Sequence, residues 1–93
     1  TIAELEALPP GRVRYAQLCD VPMVSNGLPY KEEAIFQRLA PGEGELPLRA
    51  LLDLLPADLD VGLEVPDLAA LKNGVSPRDH AARIVEAARA IGY

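Results

Sequence analysis

The sequence predicts an α/β fold in which two parallel strands alternate with three helices. Apolar residues recur with helical spacing in three segments, and these alternate along the chain with two short segments of period two. Strands that alternate with helices are joined by crossover connections and pair in parallel. A parallel sheet is covered on both faces, and two strands leave two open edges. The sheet predicted for these 93 residues is therefore incomplete.

The first predicted elements are a helix over 1–8 and a strand over 12–19. Apolar residues in 1–8 have threefold spacing, and the Pro-Pro-Gly sequence after Leu8 ends the helix. Thr1 falls inside this helical pattern, so we expect the helix to begin in a longer chain. The segment 12–19 has no helical period and lies between a glycine and a proline, which favours a strand.

A long irregular segment covers 20–44 and contains three prolines and three glycines, with one short helix predicted over 31–39. Connections between a strand and a helix usually have about two to six residues, and longer loops are usually functional or disordered. The next helix covers 47–55, where leucines recur at i, i+3, i+4 and i+7 between Pro47 and Pro56.

The second strand covers 60–65 and the last helix 77–91. Every second residue of the strand is apolar, which indicates one face turned toward the helices. The last helix has clear boundaries: Ser76 is the predicted N-cap, Pro77 suits the first turn, and Gly92 suits the position after the end.

Composition excludes several classes of protein. The chain has fourteen acidic residues against nine basic ones, and its aromatic residues are one Phe and three Tyr, with no Trp. It therefore lacks the basic surface and the stacking aromatic residues of nucleic-acid binders. No apolar run approaches the roughly 20 residues of a membrane-spanning helix. The first residues of the sequence do not have the basic segment followed by an apolar segment that is typical of a signal peptide. Cys19 is the single cysteine and forms no internal disulfide, so we expect a reducing, cytoplasmic location without membrane or nucleic-acid partners.

Gln17 and Glu64 are the polar residues near the carboxyl ends of the two strands. If the apolar residues of each strand face the helices, the period of two turns both side chains to the opposite face. Gly62 shares that face and is expected to leave room below Glu64. A buried carboxylate is costly unless it is paired or holds a cation, and a hard divalent cation accepts both carboxylate and amide oxygens. Alternatively, Glu64 is a solvated strand-end residue and Gln17 a satisfied polar group.

Arg38 and the Pro-Gly-Glu-Gly sequence at 41–44 are the candidate ligand-binding features of the long loop. A guanidinium offers a planar set of donors to a carboxylate, a phosphate or a sugar hydroxyl. The glycines allow a tight turn in which the backbone approaches a ligand. A plain surface loop is the alternative interpretation.

These motifs, taken in order, resemble the C-terminal third of the xylose-isomerase-like barrels, the sugar phosphate isomerases and epimerases. The residues that carry the resemblance are Gln17-Leu18-Cys19-Asp20, Arg38 with Pro41-Gly42-Glu43-Gly44, and Leu63-Glu64-Val65. The resemblance implies the C-terminal portion of a (β/α)8 TIM barrel, namely strands seven and eight with their helices. A complete barrel has about 250 residues.

The resemblance also implies roles for individual residues. Glu64 matches the metal-binding Glu of the eighth strand, and Arg38 matches a loop Arg that contacts substrate. Gln17 stands where many members have a ligand His, so it is either a metal ligand through its amide oxygen or the mark of a weakened site. Asp20 is a supporting or substrate-contact residue, or else a solvated one. The family's cation is divalent, such as Mg, Mn, Co or Zn, and its other two protein ligands, a Glu and an Asp, come from earlier strands.

Three functions follow as hypotheses. The first is part of a divalent-metal-dependent sugar phosphate isomerase or epimerase, which moves a proton next to a metal-polarised carbonyl. The second is a lyase similar to 3-dehydroshikimate dehydratase, which shares a Gln-x-x-Asp strand end; Gln17 favours it. The third is a non-catalytic α/β module that self-associates through its open sheet edges.

The partners expected for the two enzyme hypotheses are a small sugar or hydroxy acid and the remainder of the barrel, from a missing segment or another chain. A homo-oligomer is the expectation for the third. The proton-shuttling carboxylate would also lie outside this chain, so we expect the isolated chain to be inactive.

Three other residues are expected to have no functional role. His80 is expected on the exposed side of the last helix. Cys19 lacks a nearby His in sequence and is expected to be a small buried residue rather than a nucleophile. Glu33 is expected on a solvated face.

Overall fold

The computed structural model describes residues 1–24 and 27–93. Ser25 and Asn26, which belong to the long loop expected over 20–44, lie outside the described residues. The elements in chain order are α1 (Ile2–Glu6), β1 (Ala16–Leu18), α2 (Tyr30–Phe36), α3 (Leu48–Asp53), β2 (Val61–Leu63), α4 (Leu68–Lys72) and α5 (Pro77–Ala90).

The two strands pair in parallel, which confirms the predicted pairing. The Cα partners are Ala16 with Val61, Gln17 with Gly62, and Leu18 with Leu63. Both strands are shorter than the predicted segments 12–19 and 60–65, because a residue joins the sheet only where the other strand supplies a partner. The first part of 12–19 therefore runs alongside no strand, although its sequence alternates.

The predicted helices follow the expected order, and all four are shorter than predicted: 2–6 instead of 1–8, 30–36 instead of 31–39, 48–53 instead of 47–55, and 77–90 instead of 77–91. Pro47 occupies the N-cap position of α3 rather than its first turn. The predicted cap of α5 is confirmed, since the Ser76 hydroxyl accepts the N–H of Asp79 at 3.1 Å. Gly92 follows the end of α5 with a φ of 95°, which a glycine adopts at little cost.

The helix α4 was not predicted from the sequence, where its residues were assigned to a loop. Asp67 is its N-cap, and the carboxylate accepts the N–H of Ala70 at 3.0 Å. An Asp before a short run of Leu and Ala is a helix-start signal, so Asp67 was the feature that could have identified α4.

The core lies on the helix-facing side of the sheet. Val65, Ile84 and Ala40 form its buried centre, and Leu63 packs against them. The Cα radius of gyration is 14.3 Å, above the about 12 Å expected for a closed domain of this length. Leu63 and Val65 thus face the helices as predicted, while the chain as a whole is more extended than a closed domain of this length.

The segment 37–40 crosses the carboxyl ends of both strands. Asp20 and Leu39 exchange two backbone hydrogen bonds, each 2.9 Å long, just after β1. The N–H of Arg38 donates to the carbonyl of Pro66 at 2.9 Å, just after β2. The predicted helix over 31–39 therefore ends at Phe36, because the following residues pair with both strand ends instead.

Candidate metal and substrate site

Gln17 and Glu64 lie on the same face of the sheet. Gln17 pairs with Gly62, and Glu64 is two residues beyond Gly62, so the strand period turns all three to one side. Gln17, Glu64 and Arg38 line one cavity of about 230 Å³, which we call the Gln17–Glu64 cavity. The rest of its lining consists of Leu18, Cys19, Ala34 and Pro66. The arrangement expected for these three polar residues is present, and the metal-binding role stays a prediction.

Tyr15 occupies the space beside Gly62 that was expected to be open. A Cβ atom at Gly62 would collide with the phenolic oxygen of Tyr15 and touch the Gln17 side chain at 3.7 Å. The expectation of free room below Glu64 was therefore wrong. It was based on the missing side chain of Gly62 and did not take the neighbouring Tyr15 side chain into account. Tyr15 is two residues before Gln17, so the same period of two could have placed it on this face.

The oxygens of Gln17 and Glu64 are open to a ligand. Both residues are exposed, and neither side chain has a hydrogen bond or ion pair with any other residue in 1–24 and 27–93. An amide oxygen and a carboxylate suit a hard divalent cation, which takes about six oxygen ligands. In the part of the chain that the structure describes, no group of three or more His, Cys, Asp or Glu residues is placed to hold a metal ion. Gln17 and Glu64 therefore fit such a cation in donor type, and their role as metal ligands stays a prediction.

Arg38 reaches the cavity with its guanidinium already paired. Its Nη1 donates to Glu33 Oε1 at 3.2 Å, and the side chains are only 16% and 14% exposed. The guanidinium also lies 5.9 Å from the centre of the Tyr30 ring, a cation–π distance. The expectation that Glu33 is solvated was wrong. Its partner is five residues further along and beyond the end of α2, so helical spacing alone did not reveal the pair.

Asp20 is buried and binds the backbone of the loop that follows α2. Its side chain is 1% exposed. Oδ1 accepts the N–H groups of Val21 and Leu46 at 2.9 and 3.1 Å, and Oδ2 accepts that of Gly42 at 2.9 Å. Asp20 is therefore not solvated, and it does not line the Gln17–Glu64 cavity. This geometry favours a supporting role over substrate contact.

The Pro-Gly-Glu-Gly sequence at 41–44 wraps around this carboxylate. A Cβ atom at Gly44 would overlap the Asp20 carboxylate and lie 2.5 Å from the Val21 carbonyl oxygen. Gly44 thus allows a close approach to a side chain of the chain itself. That this loop also brings its backbone to a ligand stays a prediction.

Cys19 lines the cavity as a neutral thiol packed against the core. Burial raises the pKa of the Cys19 thiol, the positive charge of Arg38 opposes this shift, and the carboxylates of Asp20 and Glu64 add to it. A thiol with a raised pKa is a poor nucleophile near neutral pH. The geometry agrees with the packed residue expected from the sequence.

His80 differs from its expected exposed position. It is half-buried, and its Nε2 lies 2.7 Å from the carbonyl oxygen of Val65. A carbonyl only accepts, so Nε2 carries the proton and donates it. His80 therefore anchors the chain just after β2, one residue beyond Glu64.

No family model, curated protein or solved structure matches the chain. No helix among the described residues combines the length and the apolar character needed to cross a membrane.

Proposed function

We propose that the chain is part of a divalent-metal-dependent sugar or sugar phosphate isomerase or epimerase with a barrel fold. The supporting observation is that Gln17 and Glu64, from adjacent parallel strands, share one face and line one cavity with Arg38. In parallel barrels, catalytic groups converge at the carboxyl ends of the strands. All three residues lie at or just beyond those ends.

In this proposal Gln17 and Glu64 hold the cation and Arg38 orients the substrate. The amide oxygen of Gln17 and the carboxylate of Glu64 are the metal ligands that this chain contributes. When bound, the cation would polarise a substrate carbonyl next to the carbon that exchanges a proton. Arg38 would donate hydrogen bonds to a substrate oxygen, held in position by the backbone bond from its N–H to Pro66. Tyr15 fills the space beside Gly62 on the same face of the sheet.

A lyase similar to 3-dehydroshikimate dehydratase is the second candidate, and Gln17 favours it. An acidic substrate calls for an unpaired positive charge, and the charge of Arg38 is opposed by Glu33 at 3.2 Å. We rank the isomerase or epimerase first, because its substrates include uncharged sugars, whereas a dehydroshikimate-like substrate is always acidic.

Manganese binding tests the proposed ligands in the chain itself. Mn²⁺ broadens the NMR signals of nearby nuclei, so a titration of the ¹⁵N-labelled chain should first broaden the amide signals of Gln17, Gly62 and Glu64. Glu64→Gln should weaken the affinity by about tenfold or more, because ligand charge sets the affinity of oxygen sites. Glu86→Gln is the matched control, since Glu86 is an exposed residue of α5 outside the cavity.

Two results would overturn the metal-binding role. One is broadening that centres on other carboxylates and spares β1 and β2. The other is an unchanged affinity in Glu64→Gln, or a loss of the same size in Glu86→Gln.

A further inference from the structure

The ion pair between Arg38 and Glu33 bears on the charge of the ligand that the cavity can bind. With side chains 16% and 14% exposed, the two groups are largely withdrawn from water, where a carboxylate opposes a guanidinium more strongly than at the surface. The Tyr30 ring lies on the guanidinium at a centroid distance of 5.9 Å, a second contact that favours its positive charge. The net charge of the Arg38–Glu33 pair next to the cavity is therefore close to zero.

The charges around the Gln17–Glu64 cavity do not favour an anion. Among the described residues that line it, Arg38 carries the only positive charge and Glu64 the only carboxylate. Glu33 adds a second negative charge in contact with Arg38. A phosphate or carboxylate group placed against Arg38 would face both Glu33 and Glu64.

Arg38 nevertheless keeps donors for a ligand. A guanidinium has five N–H groups, and its one ion-pair contact within 1–24 and 27–93 uses Nη1. No buried side-chain nitrogen or oxygen among the described residues lacks a hydrogen-bond partner. The contact with Glu33 engages Nη1 alone, and Arg38 lines the cavity, so the other N–H groups of the guanidinium are the donors that it can offer to a ligand.

We infer that Glu33 sets the ligand class of this site: Arg38 takes an uncharged hydroxyl or carbonyl oxygen, as in a polyol or free sugar, and rejects a phosphate or carboxylate group. The inference rests on the proposed function in taking the cavity as the substrate site. It makes Glu33 a specificity-determining residue, because removing its charge would free Arg38 for an anion.

The test compares inorganic phosphate with xylitol, an uncharged polyol, by amide NMR at constant ionic strength. In the wild-type chain, xylitol should shift the amide signals of Arg38 and Leu39, and phosphate should not. Glu33→Gln keeps an oxygen that accepts the Arg38 bond but removes the charge, and it should bind phosphate about tenfold more tightly than wild type. The double variant Glu33→Gln with Arg38→Gln should lose that gain. Glu43→Gln, which removes a carboxylate paired with Arg83, is the matched control, and in it phosphate should leave the amide signals of Arg38 and Leu39 unshifted.

Phosphate binding at Arg38 by the wild-type chain would overturn the inference, even if the Glu33→Gln variant fails to fold. A wild-type chain that responds to neither probe would overturn it as well, because Arg38 would then offer no donors to a ligand. The Mn²⁺ titration separates this result from the proposed function: a chain that binds Mn²⁺ at Glu64 and phosphate at Arg38 keeps the metal site and loses only the assigned ligand class.

Discussion

Asp20 Oδ2 accepts the N–H of Gly42 at 2.9 Å, a contact that ties the end of β1 to a loop 22 residues further along the chain. The same carboxylate accepts two more backbone N–H groups, from Val21 and Leu46. Asp20 also exchanges backbone hydrogen bonds with Leu39, the neighbour of Arg38. The placement of Arg38 over the cavity thus depends on a buried residue that does not line the cavity.

Replacing Asp20 with Asn should lower the free energy of unfolding by about 2 to 3 kcal/mol. The amide keeps one accepting oxygen, but its NH₂ group would face a backbone N–H. Two donors would then meet, and that N–H would lose its acceptor. Urea denaturation followed by circular dichroism measures the change. Asp58→Asn is the control, because Asp58 is exposed in a turn. This variant should unfold at the same urea concentration as the wild-type chain. Equal midpoints for the two variants would contradict the role given to Asp20.

Two glycine substitutions should differ although each new Cβ meets a close neighbour. Gly44→Ala pushes against the Val21 carbonyl and the buried Asp20 carboxylate, neither of which has room to move. Gly62→Ala pushes against the phenol end of Tyr15, which is 57% exposed and free to swing into solvent. We expect Gly44→Ala to cost about 1 to 3 kcal/mol and Gly62→Ala clearly less.

Thermal unfolding of the two glycine variants, measured side by side, checks this order. A lower melting temperature for Gly62→Ala than for Gly44→Ala would contradict this order. It would show that the loop around Asp20 accommodates a methyl group more easily than Tyr15 does.

The thiol of Cys19 should react slowly with iodoacetamide in the folded chain. Burial raises the pKa of Cys19 above its ordinary value of 9.0, so the half-maximal alkylation rate should fall at a higher pH than in the urea-unfolded chain. The same shift makes the folded state hold this proton more tightly. Its contribution to the free energy of unfolding is complete below pH 9.0 and is lost as the pH rises through the folded pKa. Identical pH profiles for folded and unfolded chains would contradict this.

The open edges of the sheet should make the isolated chain self-associate. The described strands form a two-stranded sheet, and exposed parallel edges are sites of further pairing. Asp60 and Glu64 hydrogen-bond to β1, so alternation turns the N–H groups of Val61 and Leu63 toward the outer edge. Sedimentation at rising concentration should give a mass above the 10.0 kDa of one chain.

Hydrogen exchange at low and high concentration provides the internal control for self-association. The amides of Val61 and Leu63 should gain protection with concentration, while that of Ala16, already bonded to Asp60, should not. A 10.0 kDa mass at every concentration would count against pairing through these edges and against the non-catalytic module.

Much of the candidate site follows from local pattern. The alternation along each strand predicts that Gln17 and Glu64 share a face, because successive side chains of a strand point to opposite sides regardless of the rest of the fold. The parallel pairing follows from the alternation of strands and helices. The start of α5 is equally local, since Ser76 and Pro77 act on the helix turn next to them.

Local pattern did not predict the partners of the charged residues. Asp20 binds backbone groups of residues 42 and 46, and Arg38 pairs with Glu33 across the end of α2. Whether such a side chain is solvated or paired depends on which distant segment folds over it.

The amino-acid sequence alone determined the order of the elements, the relative direction of the strands and the face on which each strand residue lies. Only the tertiary structure decided how long the strands are, what fills the space beside Gly62 and what neutralises Arg38. The physical reason is the range of the interactions: side-chain alternation and helix caps act within a few residues, whereas strand length and ion pairing need a partner that the folded chain brings from elsewhere.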